Sequence, residues 1–313
     1  MSGTAILCSG QGNQNPAMFD LIADEPAAAP IFAAASRELG GRDVRDIVRQ
    51  GGEAIHGNNV AQLLCCTATL AAWAVISPSV PRPLVIAGYS AGELPAWAVA
   101  GLVDAPTAFD LVTQRAALMD DETHQLSGLA AIVGLSRGSI DSLCSTYGLD
   151  VAIINGPTHF IVGGGASGID SALTEARQRG ASHAVRLPIQ VASHTPALTA
   201  ASRQFLDVLR ERVPADVGVP AGIRLIGGVD GAPVGDTAKG VIRLAAQIST
   251  TVNWAACMEA CRAARPSHVL ELGPGNALAR MMSEAAPDIP SRSVADFKSV
   301  SGIDQWLATV RRL

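Results

Sequence analysis

The stretch Pro83-Leu84-Val85-Ile86-Ala87-Gly88-Tyr89-Ser90-Ala91-Gly92-Glu93 constrains this chain more than any other. Its branched apolar run predicts a buried strand that breaks at Gly88, and Ala91 to Gly101 then reads as an apolar helix. A serine on a sharp strand-to-helix turn between two glycines is the nucleophile-elbow arrangement. Such a turn brings strand and helix backbones too close for a Cβ, so glycine is needed on either side. It also places the serine Oγ above a helix N-terminus, where a nucleophile can attack a carbonyl and the developing negative charge meets N–H donors. Taken alone, a G-x-S-x-G pentapeptide in a chain this rich in Ala and Gly is equally compatible with a tight turn carrying an incidental serine.

Alternating strand and helix patterns surround the elbow. Thr4 to Cys8 predicts a first buried strand ending in Ser9-Gly10-Gln11-Gly12-Asn13-Gln14. Helical patterns follow near 16–24, 27–39, 44–50 and 60–76, and another lies at 105–122. This order argues for an α/β domain on a parallel sheet. The middle of the chain has a different pattern. There, 129–134, 151–154, 159–162 and 183–187 read as strands, with helices at 138–147 and 167–179. That is a βαββαβ, ferredoxin-like unit. The expected architecture is therefore a large α/β-hydrolase-like domain (1–126 and 190–313) with an inserted small subdomain (127–189) and a cleft between them. Further strands are expected at 224–227 and 268–272, and helices near 237–249 and 252–264.

Composition closes off several function classes. The 313 residues are 48% hydrophobic and 16% charged, as suits a parallel sheet buried on both faces. A net charge of −5, with Lys239 and Lys298 the only lysines, gives no footprint for nucleic acid or anionic membrane. The apolar run 60–76 carries Gln62, Thr67 and Thr69 and falls short of a bilayer span, so it reads as a buried helix. Six scattered cysteines without a C-x-x-C pair read as buried thiols in a reducing cytoplasm, and the spacing of His, Cys, Asp and Glu suggests no metal site.

Other motifs join the elbow in order: Gly10–Gln14 after the first strand, Gln114-Arg115, Ser193-His194 after the small insert, Gln247 before Val252-Asn253-Trp254, and Glu271–Gly275 at the end of a late strand. Their order and spacing resemble the malonyl-CoA:acyl-carrier-protein transacylase family over essentially the whole chain. The resemblance implies Ser90 as the nucleophile that takes an acyl group as an ester. It implies His194 as the base that removes the Ser90 proton, oriented by a backbone carbonyl and not by an aspartate. Backbone N–H groups of Gln11 and Ala91 would form the oxyanion hole. Arg115 would pair with the free carboxylate of a malonyl group, and Gln247 and Asn155 would shape the cleft. Each of these residues also has an ordinary reading: a polar βα loop for Gly10–Gln14, a capped turn for His194, a surface arginine for Arg115. Glu93 reads as a helix N-terminal carboxylate.

The resemblance further implies no bound cofactor, malonyl-CoA as substrate, and an acyl-carrier protein bearing a CoA-derived arm as partner. Tyr89 stands where most of the family has histidine, and Ser9 where it has proline. Gly88–Glu93 and Val191–Pro196 look most like the epsilon (transacylase) subunit of bacterial malonate decarboxylase, which would load that enzyme's carrier subunit. The housekeeping transacylase of fatty-acid synthesis is the alternative within the same chemistry. A plain serine esterase would carry an Asp or Glu between Ser and His in chain order. A carrier-binding scaffold without catalysis is the remaining reading.

Overall fold

The computed structural model describes residues 3–123 and 125–309, so the outermost positions of the expected large domain lie outside the described residues. The chain opens with strand β1 (Thr4–Cys8), followed by helices α1 (Ala29–Glu38), α2 (Val44–Gln50) and α3 (Asn58–Ile76). Strand β2 (Leu84–Gly88) leads through the elbow into α4 (Glu93–Val99) and then α5 (Ala105–Asp121). The middle runs β3 (Ser127–Val133), α6 (Arg137–Tyr147), β4 (Leu149–Gly156), β5 (His159–Gly165), α7 (Ala166–Gln178) and β6 (His183–Arg186). The last third contributes α8 (Thr199–Arg212), β7 (Ile223–Ile226), α9 (Thr237–Ala246), α10 (Trp254–Ala263), β8 (His268–Leu272), α11 (Ala277–Ala285), β9 (Ser291–Ser293) and α12 (Val300–Thr309).

Two sheets result. The larger has the order β7-β2-β1-β8-β9 with every pairing parallel. β1, β2 and β8 are buried along their whole length, because helices cover both faces. The smaller sheet has the order β4-β5-β3-β6 with every pairing antiparallel. With α6 and α7 packed on it, this is the ferredoxin-like unit inserted into an α/β fold. Its β4 is tied to the larger unit by two backbone bonds, from Ile154 N–H to Val252 O and from Val252 N–H to Ala152 O, both 2.9 Å.

Helix α3 is long and apolar enough to cross a membrane by composition alone, yet its most apolar stretch is 72% buried inside the protein. It packs beneath the elbow and against α1 and α5. All six cysteines are buried, free thiols.

The helix expected near 16–24 is instead a chain of turns. Asn15 Oδ1 accepts from Ala17 N–H, and successive three-residue turns follow from Asn15 O, Ala17 O and Phe19 O. The Asn15 bond is the kind that caps a helix, as Asp43 does for α2, yet the backbone bonds that follow keep the i+3-to-i spacing of turns, and Phe19 and Ile22 reach the core from them. Strand β9 and helices α11 and α12 have no counterpart among the elements expected from sequence. β9 is three residues long and polar, Ser-Arg-Ser, and offers no apolar alternation to detect.

Candidate active site

The elbow is built by close backbone approach. A Cβ on Gly88 would lie 2.3 Å from Glu93 Cα and from Gly92 O, and one on Gly92 would lie 2.2 Å from Cys8 O. Ser90 itself sits at φ 53°, in the left-handed region that a side chain rarely adopts. A single turn of 3-10 helix (Ser90–Gly92) precedes α4, in place of the α-helix expected to begin at Ala91. Gly88→Ala is therefore expected to cost about 3 kcal/mol or more of stability, since only backbone could yield, and to displace Ser90. Thermal unfolding of that variant, beside an alanine at the uncrowded Gly138, checks it.

His194 faces the elbow from the loop between β6 and α8. Its Nε2 lies 2.7 Å from Ser90 Oγ, and its Nδ1 lies 2.6 Å from the backbone oxygen of Gln247. A carbonyl oxygen only accepts, so Nδ1 carries the proton and Nε2 presents a lone pair to the serine hydroxyl. His194 also has positive φ (64°), held by its N–H bond to Ile248 O at 2.8 Å. Burial first, then the Arg115 charge, push its pKa down to about 3, against the raising effect of the Gln247 carbonyl. The imidazole is thus neutral, as a base must be, well below the usual histidine range. Acylation of Ser90 by a neutral donor such as p-nitrophenyl acetate is expected to stay flat from about pH 8 to about pH 5. An ordinary histidine base would lose half its rate near pH 6.5.

Arg115 comes from α5 and is 2% exposed, so it is not a surface arginine. Its guanidinium donates to Gln62 Oε1 at 2.5 Å and to Gln247 Oε1 at 3.1 Å. Both partners are neutral amide oxygens: they hold the fork in place without neutralising it. Burial lowers its pKa to about 10, with the Glu93 charge opposing, so it stays charged near neutrality. Gln247 in turn donates through Nε2 to Ser90 O (2.9 Å) and to Glu93 Oε2 (2.6 Å). One residue therefore touches the nucleophile's backbone, the histidine and the arginine.

The Gly10–Gln14 loop follows β1, alongside the elbow. Gln14 Oε1 accepts the Gly12 N–H while Gln14 Nε2 donates to Ile55 O, which pins the loop from its far end. Ser9 Oγ donates to Glu271 Oε1 at 2.6 Å, and Glu271 Oε2 accepts from Ala279 N–H in the first turn of α11. Burial raises the Glu271 carboxyl to about 7 against these bonds. Ala91 N–H stands in the first turn of the helix, ahead of the first bond of that turn, donated by Gly92 N–H to Tyr89 O. The loop and elbow together border a cavity of about 220 Å³, walled by Gly10–Asn13, Tyr89, Asn155, Ile161, Leu278 and Met281 among others. Two buried acceptors from this wall, Gln11 Oε1 and Asn155 Oδ1, have no hydrogen-bond partner among the described residues. His194 borders a second, more open and polar cavity of about 480 Å³ with Arg137, Asp150 and Ser249–Thr251.

Of the residues singled out from sequence, Ser90, His194, Gln247 and Arg115 form one hydrogen-bonded network. Asn155 lies apart from it, with Nδ2 3.2 Å from His159 Nε2. Tyr89 packs edge-on against Trp254, ring centroids 5.2 Å apart. Sequence reasoning missed Gln62, one polar side chain among Asn58, Asn59, Thr67 and Thr69 in a mostly apolar helix, and it left Glu93 as a simple helix-terminal carboxylate.

The acyl transferase domain family matches residues 6–299 of this chain. The chain belongs to that family. It is 28% identical to the malonyl CoA-acyl carrier protein transacylase of Haemophilus influenzae, over 98% of this chain and 100% of that one. Among solved structures, the acyl-carrier-protein S-malonyltransferase of Burkholderia pseudomallei superposes with a TM-score of 0.87 at 27% identity, covering 97% of this chain and 99% of that one. A malonyl-transacylase solved in complex with a type II PKS acyl-carrier protein gives a TM-score of 0.87 at 25% identity, with 97% and 99% covered.

Proposed function

We propose that this acyl transferase is a malonyl-CoA:acyl-carrier-protein S-malonyltransferase that works through a Ser90 ester. The observation that carries the reading is the Arg115 guanidinium, buried and charged, whose hydrogen-bond acceptors among the described residues are the neutral oxygens of Gln62 and Gln247. A buried cation without a carboxylate partner is costly, and an acyl group that brings its own carboxylate relieves that cost. Malonyl supplies one, at the far end of a short chain from the thioester carbon; acetyl does not.

The reaction then runs in two halves. His194 Nε2 takes the Ser90 proton as Oγ attacks the thioester carbon, and the Gln11 and Ala91 N–H groups receive the negative charge on oxygen. The tetrahedral species collapses, the C–S bond breaks, and the CoA sulfur leaves with the proton from His194. In the second half the carrier thiol gives its proton to His194 and attacks the Ser90 ester, and the serine oxygen recovers the proton as it leaves. The unpartnered Gln11 and Asn155 oxygens suit the amide N–H groups of the pantetheine-type arm shared by CoA and carrier. No step calls for a metal or a resident cofactor, and the chain works in the cytoplasm.

The carrier we assign is the carrier subunit of malonate decarboxylase, on the strength of Tyr89 beside the nucleophile, Ser9 before the loop, and Val191–Pro196. The acyl-carrier protein of fatty-acid synthesis is the other candidate. Loading both carriers side by side from malonyl-CoA decides between them: a kcat/KM preference of at least about tenfold for the decarboxylase carrier is expected. Equal or reversed preference assigns the chain to fatty-acid synthesis.

A further inference from the structure

Glu93 follows the elbow at the start of α4 and is 2% exposed, with no water-facing role. Its carboxylate accepts from the backbone N–H of Gly228 and, at 2.6 Å, from Gln247 Nε2. Room for it is built into the backbone opposite, since a Cβ on Gly228 would fall 2.6 Å from Glu93 Oε2 and 3.4 Å from Gln247 Nε2. Gln247 can be turned either way about its amide. In one orientation its oxygen faces Arg115; in the other its NH₂ does, and two donors then oppose each other. The acceptors on the Nε2 side are Glu93 Oε2 and Ser90 O, and Glu93 is the charged one.

We propose that Glu93 is a positioning residue for acyl selectivity: its carboxylate fixes the Gln247 amide with Oε1 toward Arg115, so that the guanidinium is held ready for the acyl carboxylate. The assignment rests on the reading of Arg115 as the carboxylate-binding group. Glu93 touches neither Ser90 Oγ nor His194 in this arrangement and acts through Gln247. Its negative charge also balances Arg115 before substrate arrives, at one remove, without occupying the fork.

The charged and titratable groups that face Glu93 are Arg115 from α5, Arg243 from α9 and the Cys257 thiol from α10. Burial pushes the Glu93 carboxyl up to about 7, with the Gly228 and Gln247 bonds and the two arginines opposing. Burial also keeps Cys257 protonated and neutral. As pH falls through about 7, Glu93 takes a proton, loses its charge and gains a donor. The Nε2 side of the Gln247 amide is then held chiefly by Ser90 O, and its orientation toward Arg115 is less firmly fixed. The acyl carboxylate and Arg115 keep their charges over that range, and His194 acts alike on both acyl groups, so its contribution cancels in a ratio of rates.

The experiment measures the malonyl-to-acetyl ratio of kcat/KM for Ser90 acylation, from malonyl-CoA and acetyl-CoA, in the wild type, Glu93→Gln and Arg115→Ala. Glu93→Gln is expected to lower the ratio at least about tenfold at pH 8 through the KM for malonyl-CoA, with the acetyl rate nearly unchanged. A purely structural role would lower both rates together. An unchanged ratio in Glu93→Gln, with Arg115→Ala losing selectivity, overturns the Glu93 assignment and leaves Arg115 standing. An unchanged ratio in Arg115→Ala overturns the reading on which it rests. Should Glu93→Gln fail to fold, Glu93→Asp decides: its shorter carboxylate withdraws from Gln247 Nε2, so a lowered malonyl-to-acetyl ratio with the acetyl rate kept supports the assignment, and an unchanged ratio overturns it.

Discussion

Arg115→Ala is expected to lower malonyl transfer by about 10³–10⁴-fold in kcat/KM while acetyl transfer stays within a few-fold of the wild type. The size follows from burial. The acyl carboxylate would enter a site where Gln62, Gln247 and apolar helix faces replace water, and Arg115 is the cation that meets it there. Without the guanidinium the carboxylate loses its solvation and gains nothing charged in return. Arg115→Lys is expected to recover only part of the loss. A lysine ammonium cannot bridge two amide oxygens and a carboxylate in one plane. The measurement is paired kinetics with malonyl-CoA and acetyl-CoA. Equal losses for the two donors would mean that Arg115 holds the fold and not the acyl group.

His194→Ala should reduce acylation by about 10²–10⁴-fold for both donors alike, with selectivity intact. The geometry gives the reason: Nε2 is 2.7 Å from Ser90 Oγ and Nδ1 is held on Gln247 O, so the imidazole presents its unprotonated nitrogen to the serine hydroxyl, as the proposed base must. Because a backbone carbonyl does the aiming, no carboxylate substitution can imitate the loss of a triad aspartate. Single-turnover CoA release from malonyl-CoA and acetyl-CoA checks this. A loss confined to malonyl would move His194 from the chemistry to the specificity site.

These two residues also show what the sequence makes legible. The elbow is local: strand, glycine, serine and glycine lie within a dozen positions, and the crowding that demands Gly88 arises inside that span, although Gly92 is crowded by Cys8 of the neighbouring strand. The βαββαβ insert is legible because its strand and helix patterns follow one another in order along 127–186, although β3 and β6 pair from opposite ends of it. The network behind Ser90 is not local. Arg115 meets Gln62 across 53 positions and Gln247 across 132, and Glu93 meets Gln247 across 154. Only the fold brings those groups together.

Two misreadings remain. Gln62 sits in a mostly apolar helix that also carries Asn58 and Asn59, so nothing in its sequence context singles out the amide that meets Arg115. The segment 16–24 has a helical pattern and an Asn15 cap before it, but its backbone bonds keep i+3-to-i spacing and it stays a chain of turns. Ser9 and Glu271, by contrast, lie in two of the sequence motifs, yet their 2.6 Å bond, which ties the loop after β1 to the end of β8, has no sequence signature at all.

The central claim is a Ser90 acyl-enzyme selective for an acyl group that carries a carboxylate. Intact-protein mass after brief exposure to malonyl-CoA tests it most directly, with acetyl-CoA and Ser90→Ala alongside. The account predicts one malonyl adduct on the wild type, far less from acetyl-CoA, and none on Ser90→Ala, with the adduct discharged by a carrier thiol. An undiminished adduct on Ser90→Ala, or CoA release with no adduct on the wild type, would contradict it.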